Sequence, residues 1–250
     1  MTAPTPVGAG DTTDPPTAPR TDPLAGISPT TSAFLRTVYN LYEDHVPIRR
    51  ARIRERLKLS GPTVTQAVTR MIDTGLLEVR HEQYLTFTDR GLQVAVIAVR
   101  RHRLAERLLT DILSLPPLQA HGEATRWGQM IGEETERAIV ASLDDPTTSP
   151  WGNPIPGLES VGGPEPTFVE PDLLYQLGPP GSTFDALVRS LSEDAQDDEQ
   201  AITALVGAGI VPGAQIKITV GKDRFELRGL GRYDLPVKNA HRVRVDVVRP

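Results

Sequence analysis

The stretch RRARIRERLKLSGPTVTQAVTRMIDT, residues 49–74, decides the fold of the first part of this chain. Ile53 and Leu57 stand four residues apart and predict a short helix with one buried face. Ser60 is a favoured N-cap, and Pro62 close behind it favours a second helix after a sharp turn. Two short helices around a tight turn are typical of a helix-turn-helix, whose second helix enters the major groove of DNA.

The second of these helices has two unlike sides. One side is apolar, whereas the other carries short, uncharged side chains such as Thr63 and Gln66. Such groups suit hydrogen bonds to base edges and contacts with thymine methyl groups. An ordinary helical hairpin with a solvated face is the alternative, because generic helix-turn-helix patterns are common. The residues that we expect in or beside the groove are Ser60, Pro62, Thr63 and Gln66.

The charge of this region favours DNA binding. Between His45 and Arg70 the chain carries seven lysines and arginines but one acid, although the whole protein has a net charge of −5. A basic segment inside an acidic chain indicates contact with phosphate groups, and Arg50 and Arg52 are the predicted contacts. A solvated helix face is the competing interpretation, but such faces usually mix both signs of charge.

Length and composition limit the remaining possibilities. A chain of 250 residues suggests about two domains. It contains no cysteine, which excludes disulfides and thiolate metal sites. No apolar run approaches the roughly 20 residues that a membrane span needs, and no signal peptide is evident. We therefore expect a cytoplasmic protein with no membrane partner.

The N-terminal part divides into a tail and a first helix. Residues 1–28 are rich in Pro, Thr, Ala and Gly, which predicts a disordered tail. Thr30 or Thr31 is expected to cap a helix that ends near Asp44.

A hairpin is predicted directly after the helix-turn-helix. Gly75 is expected to end the second helix, and β-prone runs follow at 76–80 and 84–88. A hairpin in this place forms a wing beside the DNA. The winged helix-turn-helix domain is therefore assigned to residues 29–94.

The sequence pattern of residues 95–151 predicts a helical domain. A long helix from about 90 to 113 is apolar nearly all round in its first half, and further helices are expected at about 118–131 and 133–143. These helices carry more apolar surface than a small winged domain can bury. We therefore predict a homodimer, whose twofold symmetry matches a palindromic double-stranded DNA operator.

The C-terminal part has β character. Residues 152–182 are predicted as a Gly/Pro-rich linker, and residues 183–250 as a small β-barrel that also contains one short helix. The helix is expected at Asp198–Val206. The strands are expected at Phe184–Leu191, Gln215–Val220, Phe225–Leu230 and His241–Val248.

Four motifs in register resemble one known family. They are SGPTVTQAV on the second helix of the pair, RHRLAERLL on the long helix, HGEATRW on the next helix and WGNPIPG after the last. From about Thr30 to Gly157 the chain resembles the diphtheria toxin repressor and iron-dependent regulator family. The resemblance implies a transcriptional repressor that is dimeric and depends on Fe²⁺ or Mn²⁺. It implies a mainly α fold with β: a winged helix-turn-helix, a helical dimerisation and metal-binding domain, and a C-terminal Src-homology-3-like β-barrel.

The resemblance also implies two metal sites, of which the ancillary site is largely kept. His102 and Glu106 match two of its ligands, and their i, i+4 spacing puts both on one face of a helix. His121 matches the second imidazole. A surface ion pair would be the simpler explanation of a lone His-x-x-x-Glu, but three matched ligands favour a metal site.

The C-terminal ligands of this site depend on the register. Without gaps, the family's glutamate falls at Asp198 and its glutamine at Ala201, and this register is preferred. A shift of five residues would use Glu193 and Gln196, which keep the family's residue types and spacing. Two imidazoles with oxygen ligands suit Fe²⁺, Mn²⁺, Co²⁺, Ni²⁺ or Zn²⁺, and about one ion per subunit is expected.

The primary, regulatory site of the family has lost its ligands in this sequence. Alanine and glycine offer no donor atom in their side chains, and hydroxyl and amide groups are weak neutral donors. We therefore predict that the primary site is absent. The positions of its methionine, thiol, glutamate and histidine ligands hold, in that order, Ala33, Thr125, Gly128 and Gln129.

Two other functions stay open at this point. A regulator of the same fold could bind DNA independently of metal. A metal-dependent enzyme could use His102, Glu106 and His121, but the sequence has no HExxH motif, phosphate loop or GxSxG motif. We therefore predict a regulator and not an enzyme.

Overall fold

The computed structural model describes residues 22–81, 83–144, 146–164 and 171–248. Within these ranges the chain forms a helical N-terminal domain, a helical middle domain and a C-terminal antiparallel sheet, with a buried apolar core in each. This confirms the predicted mainly α fold with a C-terminal β domain. In the same ranges, no helix is both long and apolar enough to cross a membrane.

The N-terminal domain places three helices before a two-stranded hairpin. Leu35 of the first helix and Val64 of the third belong to one buried core, so these two helices are packed as a unit. The third helix is capped as predicted, since the Ser60 hydroxyl accepts a hydrogen bond from the Thr63 amide at 3.3 Å. Gly75 follows its end with a φ of +68°, which glycine adopts without strain. The elements are α1 (Pro29–Glu43), α2 (Arg50–Leu57), α3 (Gly61–Asp73), β1 (Leu77–Arg80) and β2 (Tyr84–Phe87).

The start of α1 differs from the prediction. Ser28, and not Thr30 or Thr31, is the N-cap, because its hydroxyl accepts the Thr31 amide at 3.1 Å. Pro29 then occupies the first turn. Proline suits this place because the first amides of a helix have no partner within the helix.

The predicted tail makes defined contacts at its C-terminal end. The carboxylate of Asp22 accepts two hydrogen bonds of 3.0 Å from Arg101, and Leu24 packs against the N-terminal core. The C-terminal end of the predicted tail thus has charged and apolar side chains that contact the folded domains. Residues 1–21, on which the rest of that prediction falls, lie outside the described residues.

The middle domain is built on one long helix that also contacts the N-terminal domain. Gly91 near its start lies so close to the chain before β1 that a Cβ atom there would stand 1.7 Å from the Leu76 carbonyl oxygen. Only glycine permits this approach, which fixes the long helix beside the winged domain. The elements are α4 (Asp89–Arg107), a π-helical turn (Leu108–Ile112), α5 (Pro117–Trp127) and α6 (Glu133–Ser142).

The predicted linker is packed against both neighbouring cores. Ile155 and Leu158 are fully buried in the core of the middle domain, and Leu174 is buried in the core of the C-terminal domain. The apolar residues among the glycines and prolines of this segment are thus buried, and they attach the segment to the middle and C-terminal domains. Residues 165–170 lie outside the described residues.

The C-terminal domain contains a five-stranded antiparallel sheet and two helices. The elements are β3 (Thr183–Leu191), α7 (Glu193–Gln196), α8 (Glu199–Gly207), β4 (Gln215–Val220), β5 (Arg224–Arg228), β6 (Arg232–Pro236) and β7 (Val243–Val247). The strand order in the sheet is β6-β5-β4-β3-β7. Neither β6 nor α7 was predicted from the sequence, because β6 is a short, charged strand at the edge of the sheet and α7 is a single turn between β3 and α8.

Buried ion pairs join the three domains near the end of α1. Arg103 of α4 contacts Glu43 of α1 at 2.7 Å, and Arg244 of β7 contacts Asp44 at 2.5 Å. These side chains are nearly excluded from solvent, apart from a small exposed fraction of Glu43. The C-terminal domain is thereby docked so that α7 lies against α1 and α4, where the candidate metal ligands are found.

Candidate metal centre and DNA-binding surface

One buried group of potential metal ligands lies between α4 and α5. His102, Glu106 and His121 each bring one ligand atom to within 4.8 Å of the others. The two imidazole rings meet edge to face with their centroids 5.1 Å apart. The Nε2 atom of His102 is buried, lies 3.5 Å from Glu106 Oε1 and makes no hydrogen bond among the described residues. A buried, unpartnered nitrogen beside a carboxylate and a second imidazole fits a divalent transition metal ion.

His121 is oriented as a metal-ligating histidine should be. Its Nδ1 lies 2.7 Å from Glu106 Oε1, and its Nε2 lies 3.1 Å from Asp197 Oδ1. Ligating histidines generally donate their second ring N–H to a carboxylate or carbonyl, which fixes the ring. Burial alone would lower the pKa of His121, but its hydrogen bonds with Asp197 and Glu106 raise this pKa to about 10. The surroundings of His121 thus favour positive charge.

Glu106 and His102 have the charges that metal coordination requires. Burial alone would raise the pKa of Glu106, but the neighbouring His102 and His121 lower it to about 2. Burial, followed by the charge of Arg36, lowers the pKa of His102 below its usual value. Glu106 is therefore an anion and His102 a neutral imidazole at neutral pH, as metal coordination requires.

Glu193 of α7 lies near this cluster and interacts electrostatically with His102 and His121. Glu193 is buried, and its carboxylate accepts hydrogen bonds from Asn40 at 2.6 Å and Arg103 at 3.0 Å. Burial would raise the pKa of Glu193, but Arg103 and then His102 lower it. Gln196 is also buried, and its Oε1 atom has no hydrogen-bond partner among the described residues.

Asp198, the preferred C-terminal ligand in the sequence, is not brought to this cluster. Its side chain caps α8 by accepting the Ala201 amide at 3.1 Å, and it contacts Arg242 at 2.9 Å. About 40% of the side chain is exposed to solvent. The gapless register thus places a helix-capping residue at the ligand position, whereas the shifted register places the buried residues Glu193 and Gln196 there.

The four positions of the family's primary site offer few donor atoms. Ala33 lies on α1, and the Thr125 hydroxyl on α5 is 3.4 Å from Arg36. Gly128 is buried at the end of α5, where a Cβ atom would stand 3.1 Å from the Cα of His102. Gln129 is exposed. Among the described residues, the cluster around His102 is the one group of three or more His, Cys, Asp or Glu side chains close enough to share a metal ion.

The predicted DNA-contacting side chains of α3 share one exposed surface. Val64, Val68 and Met71 are buried, so the opposite side of the helix faces solvent. The Ser60 hydroxyl caps the helix and also forms a 2.7 Å hydrogen bond with the Thr63 hydroxyl. This side carries the exposed residues Ser60, Pro62, Thr63 and Gln66.

The basic residues next to α3 differ in how accessible they are. Arg52 is exposed and contacts Glu55 at 2.8 Å, so DNA would have to replace this pair. Arg50 is half-buried at the start of α2. Arg49 stacks on the ring of Tyr84 in the wing, with 4.2 Å between its guanidinium carbon and the ring centroid. This cation–π contact ties the wing to the helix-turn-helix.

Three residues of the metal region were not predicted from the sequence. Asp197 orients His121, Arg36 contacts His102, and Arg103 holds Glu193. Nothing in the local pattern marks these residues, because each contact joins separate domains or helices. The shifted ligand register did have a signal, since Glu193 and Gln196 keep the family's residue types.

Two family descriptions match consecutive parts of the chain. Residues 27–85 match the iron dependent repressor N-terminal DNA binding domain, and residues 88–157 match the iron dependent repressor metal binding and dimerisation domain. The iron-dependent repressor IdeR of Mycobacterium tuberculosis is 45% identical over 225 residues, which cover 88% of this chain and 97% of the relative. The chain belongs to the iron-dependent repressor family.

A second relative and a solved structure cover similar shares of this chain. The diphtheria toxin repressor of Corynebacterium glutamicum is 41% identical over 220 residues, covering 88% of this chain and 96% of the relative. The solved structure of a manganese-dependent transcriptional repressor in complex with manganese aligns with a TM-score of 0.67 at 22% identity, covering 87% of this chain and 100% of the other. The predicted resemblance is confirmed, and this family member has the DNA-binding domain and the metal-binding and dimerisation domain of a transcriptional repressor.

Proposed function

We propose that this family member is a homodimeric repressor that binds a palindromic operator through α3 and holds about one Fe²⁺ or Mn²⁺ ion per subunit. The observation that carries the DNA-binding part is the exposed, uncharged face of α3 beside the basic helix α2. In this arrangement Gln66 and Thr63 read base edges, while Arg50 and Arg52 contact phosphates.

The middle domain supplies the surface for a dimer. Its described part leaves several large apolar side chains accessible to solvent on the π-helical turn and around α5. A twofold contact on this surface would present two copies of α3 to two half-sites of a palindrome. The exposed side chains are Ile112, Leu113, Leu118, Trp127 and Met130.

The metal would be held by His102, Glu106 and His121, with Glu193 and Gln196 supplied by the C-terminal domain. Unpartnered, buried ligand atoms on His102 and Gln196 support this set. An ion in this place would join α4 and α5 to α7 and thereby contribute to docking of the C-terminal domain. The primary site is absent in this proposal, because its four positions lack strong donors.

Replacement of Gln66 and Arg50 separates the two kinds of DNA contact. Gln66→Ala should lower specific affinity by about 1–3 kcal/mol and relax base preference at one position in each half-site. Arg50→Ala should weaken specific and nonspecific binding alike and reduce the dependence on salt. The measurement is fluorescence anisotropy on palindromic fragments of the protein's own promoter at several salt concentrations.

The matched control for this experiment is Arg137→Ala, which removes an equally charged but distant side chain of α6. Its DNA binding should equal that of the wild type. If Gln66→Ala left both affinity and base preference unchanged, α3 would not be the reading helix.

A further inference from the structure

Arg36 of α1 is directed at one of the proposed metal ligands. Its Nη1 atom lies 2.6 Å from Nδ1 of His102 on α4 and 3.4 Å from the Thr125 hydroxyl on α5. A guanidinium group has five N–H donors and no acceptor, and it keeps its charge at any ordinary pH. Arg36 therefore donates to His102, so Nδ1 of His102 accepts and its proton sits on Nε2.

The two histidines of the cluster thus have opposite partners. His121 faces the carboxylate of Asp197 with the nitrogen that points away from Glu106, and a carboxylate can accept the N–H of a ligating imidazole. The nitrogen of His102 that points away from Glu106 faces Arg36, which can only donate. The hydrogen bond from His121 to Asp197 can therefore persist when a metal ion takes the nitrogen that faces Glu106 and His121 has given up its second proton, whereas the hydrogen bond from Arg36 to His102 cannot persist on coordination.

A metal ion on either nitrogen of His102 is incompatible with this hydrogen bond. A neutral imidazole has one N–H and one free lone pair in its ring plane. Coordination by Nδ1 would use the lone pair that Arg36 occupies. Coordination by Nε2 would move the proton to Nδ1, where it would face the N–H of Arg36. The guanidinium charge adds repulsion to a divalent cation at this short range.

We propose that Arg36 and the metal ion compete for His102, so that metal binding releases α1 of the DNA-binding domain from α4 and α5. This inference rests on the proposed metal site. Because α1 shares a buried core with α3, the release acts on the element that carries the DNA-contacting face. By thermodynamic reciprocity, the factor by which the contact of Arg36 with His102 weakens metal binding equals the factor by which metal binding weakens that contact.

Calorimetric titration of Mn²⁺ into the full chain tests the competition. Arg36→Ala should bind Mn²⁺ about tenfold more tightly than the wild type, because a charge-assisted hydrogen bond no longer has to be broken. Arg36→Gln should also bind more tightly, since its amide oxygen can accept the Nδ1 proton. Arg126→Ala is the matched control: it removes an arginine from an exposed ion pair on α5, next to Thr125, and should bind as the wild type does.

The tautomer of His102 gives a second measurement. It would not change in Arg36→Ala if Arg36 only stabilised the fold. Nitrogen-15 NMR of the metal-free wild type should show the proton of His102 on Nε2, and Arg36→Ala should lose this preference. Equal Mn²⁺ affinity in Arg36→Ala and the wild type, or an equal gain in Arg126→Ala, would overturn the competition and leave the metal site standing. Absence of Mn²⁺ binding in both the wild type and Arg36→Ala would overturn the proposed metal site together with the inference.

Discussion

Two neighbouring regions of the α4–α5 pair differ in the donor atoms that they hold. Around His102 and Glu106, buried imidazole and carboxylate groups converge from two helices. Around Thr125 and Gly128, one helical turn further along α5, the side chains are small and the backbones of α4 and α5 approach closely. The same helix pair therefore supports a metal ion at one position and close packing at the other.

The largest expected effect is on metal affinity, and it concerns which residues complete the ligand set around His102 and Glu106, here called the donor-rich region. Glu193→Gln should weaken Mn²⁺ binding by about 10- to 100-fold, because a buried carboxylate near the cluster is neutralised. Asp198→Asn should leave Mn²⁺ affinity unchanged, since asparagine caps α8 as well as aspartate does. Calorimetric titration of Mn²⁺ into both variants measures these two affinities. A loss in Asp198→Asn with none in Glu193→Gln would restore the gapless register.

The ion pairs that surround the donor-rich region should make stability depend on pH. Burial alone would raise the pKa of Glu43, but the contact with Arg103 lowers it below its usual value. Its contribution to stability is therefore present above the unfolded pKa of about 4.3 and is lost as pH falls through the lower, folded pKa. Glu43→Gln should be less stable than the wild type by about 1–3 kcal/mol at pH 7, and this difference should shrink below about pH 4.

Urea unfolding at a series of pH values measures this difference. Glu123→Gln is the control, because its carboxylate lies in an exposed ion pair on α5 and should change stability by less than about 0.5 kcal/mol. A loss in Glu43→Gln that stayed constant down to pH 3 would show that Glu43 acts through packing and not through charge.

What could be predicted from the sequence follows the range of the interactions involved. Ser60 and Gly75 act within one helix, so both caps were predicted correctly. The i, i+4 spacing of His102 and Glu106 needs only helical periodicity, so their common helix face was also predictable, while their role as metal ligands stays a prediction. The choice between Asp198 and Glu193 could not be made from the sequence, because α7 is one turn long and shows no periodicity, and its position near the cluster depends on docking of whole domains.

The smallest expected effect is on stability, and it concerns the region around Thr125 and Gly128, where few donor atoms are present. Gly128→Ala should destabilise the protein by about 1 kcal/mol, because the new Cβ would press on the backbone of His102 at 3.1 Å. Gly122→Ala in the same helix is the matched control, since nothing lies within 4 Å of its Cβ position. It should stabilise the protein by about 0.5–1 kcal/mol through helix propensity. Thermal unfolding measures the stability of both variants. An equal gain in stability in Gly128→Ala and Gly122→Ala would contradict the close packing at Gly128.

The number of tight metal ions per subunit tests the central claim most directly. Equilibrium dialysis of the full chain against Mn²⁺ should give about one ion per subunit, as the single converging donor set implies. His102→Ala should abolish this ion, whereas Gln129→Ala, at an exposed position of the primary site, should keep it. Two tight ions per subunit, or an ion that survives in His102→Ala, would contradict the account.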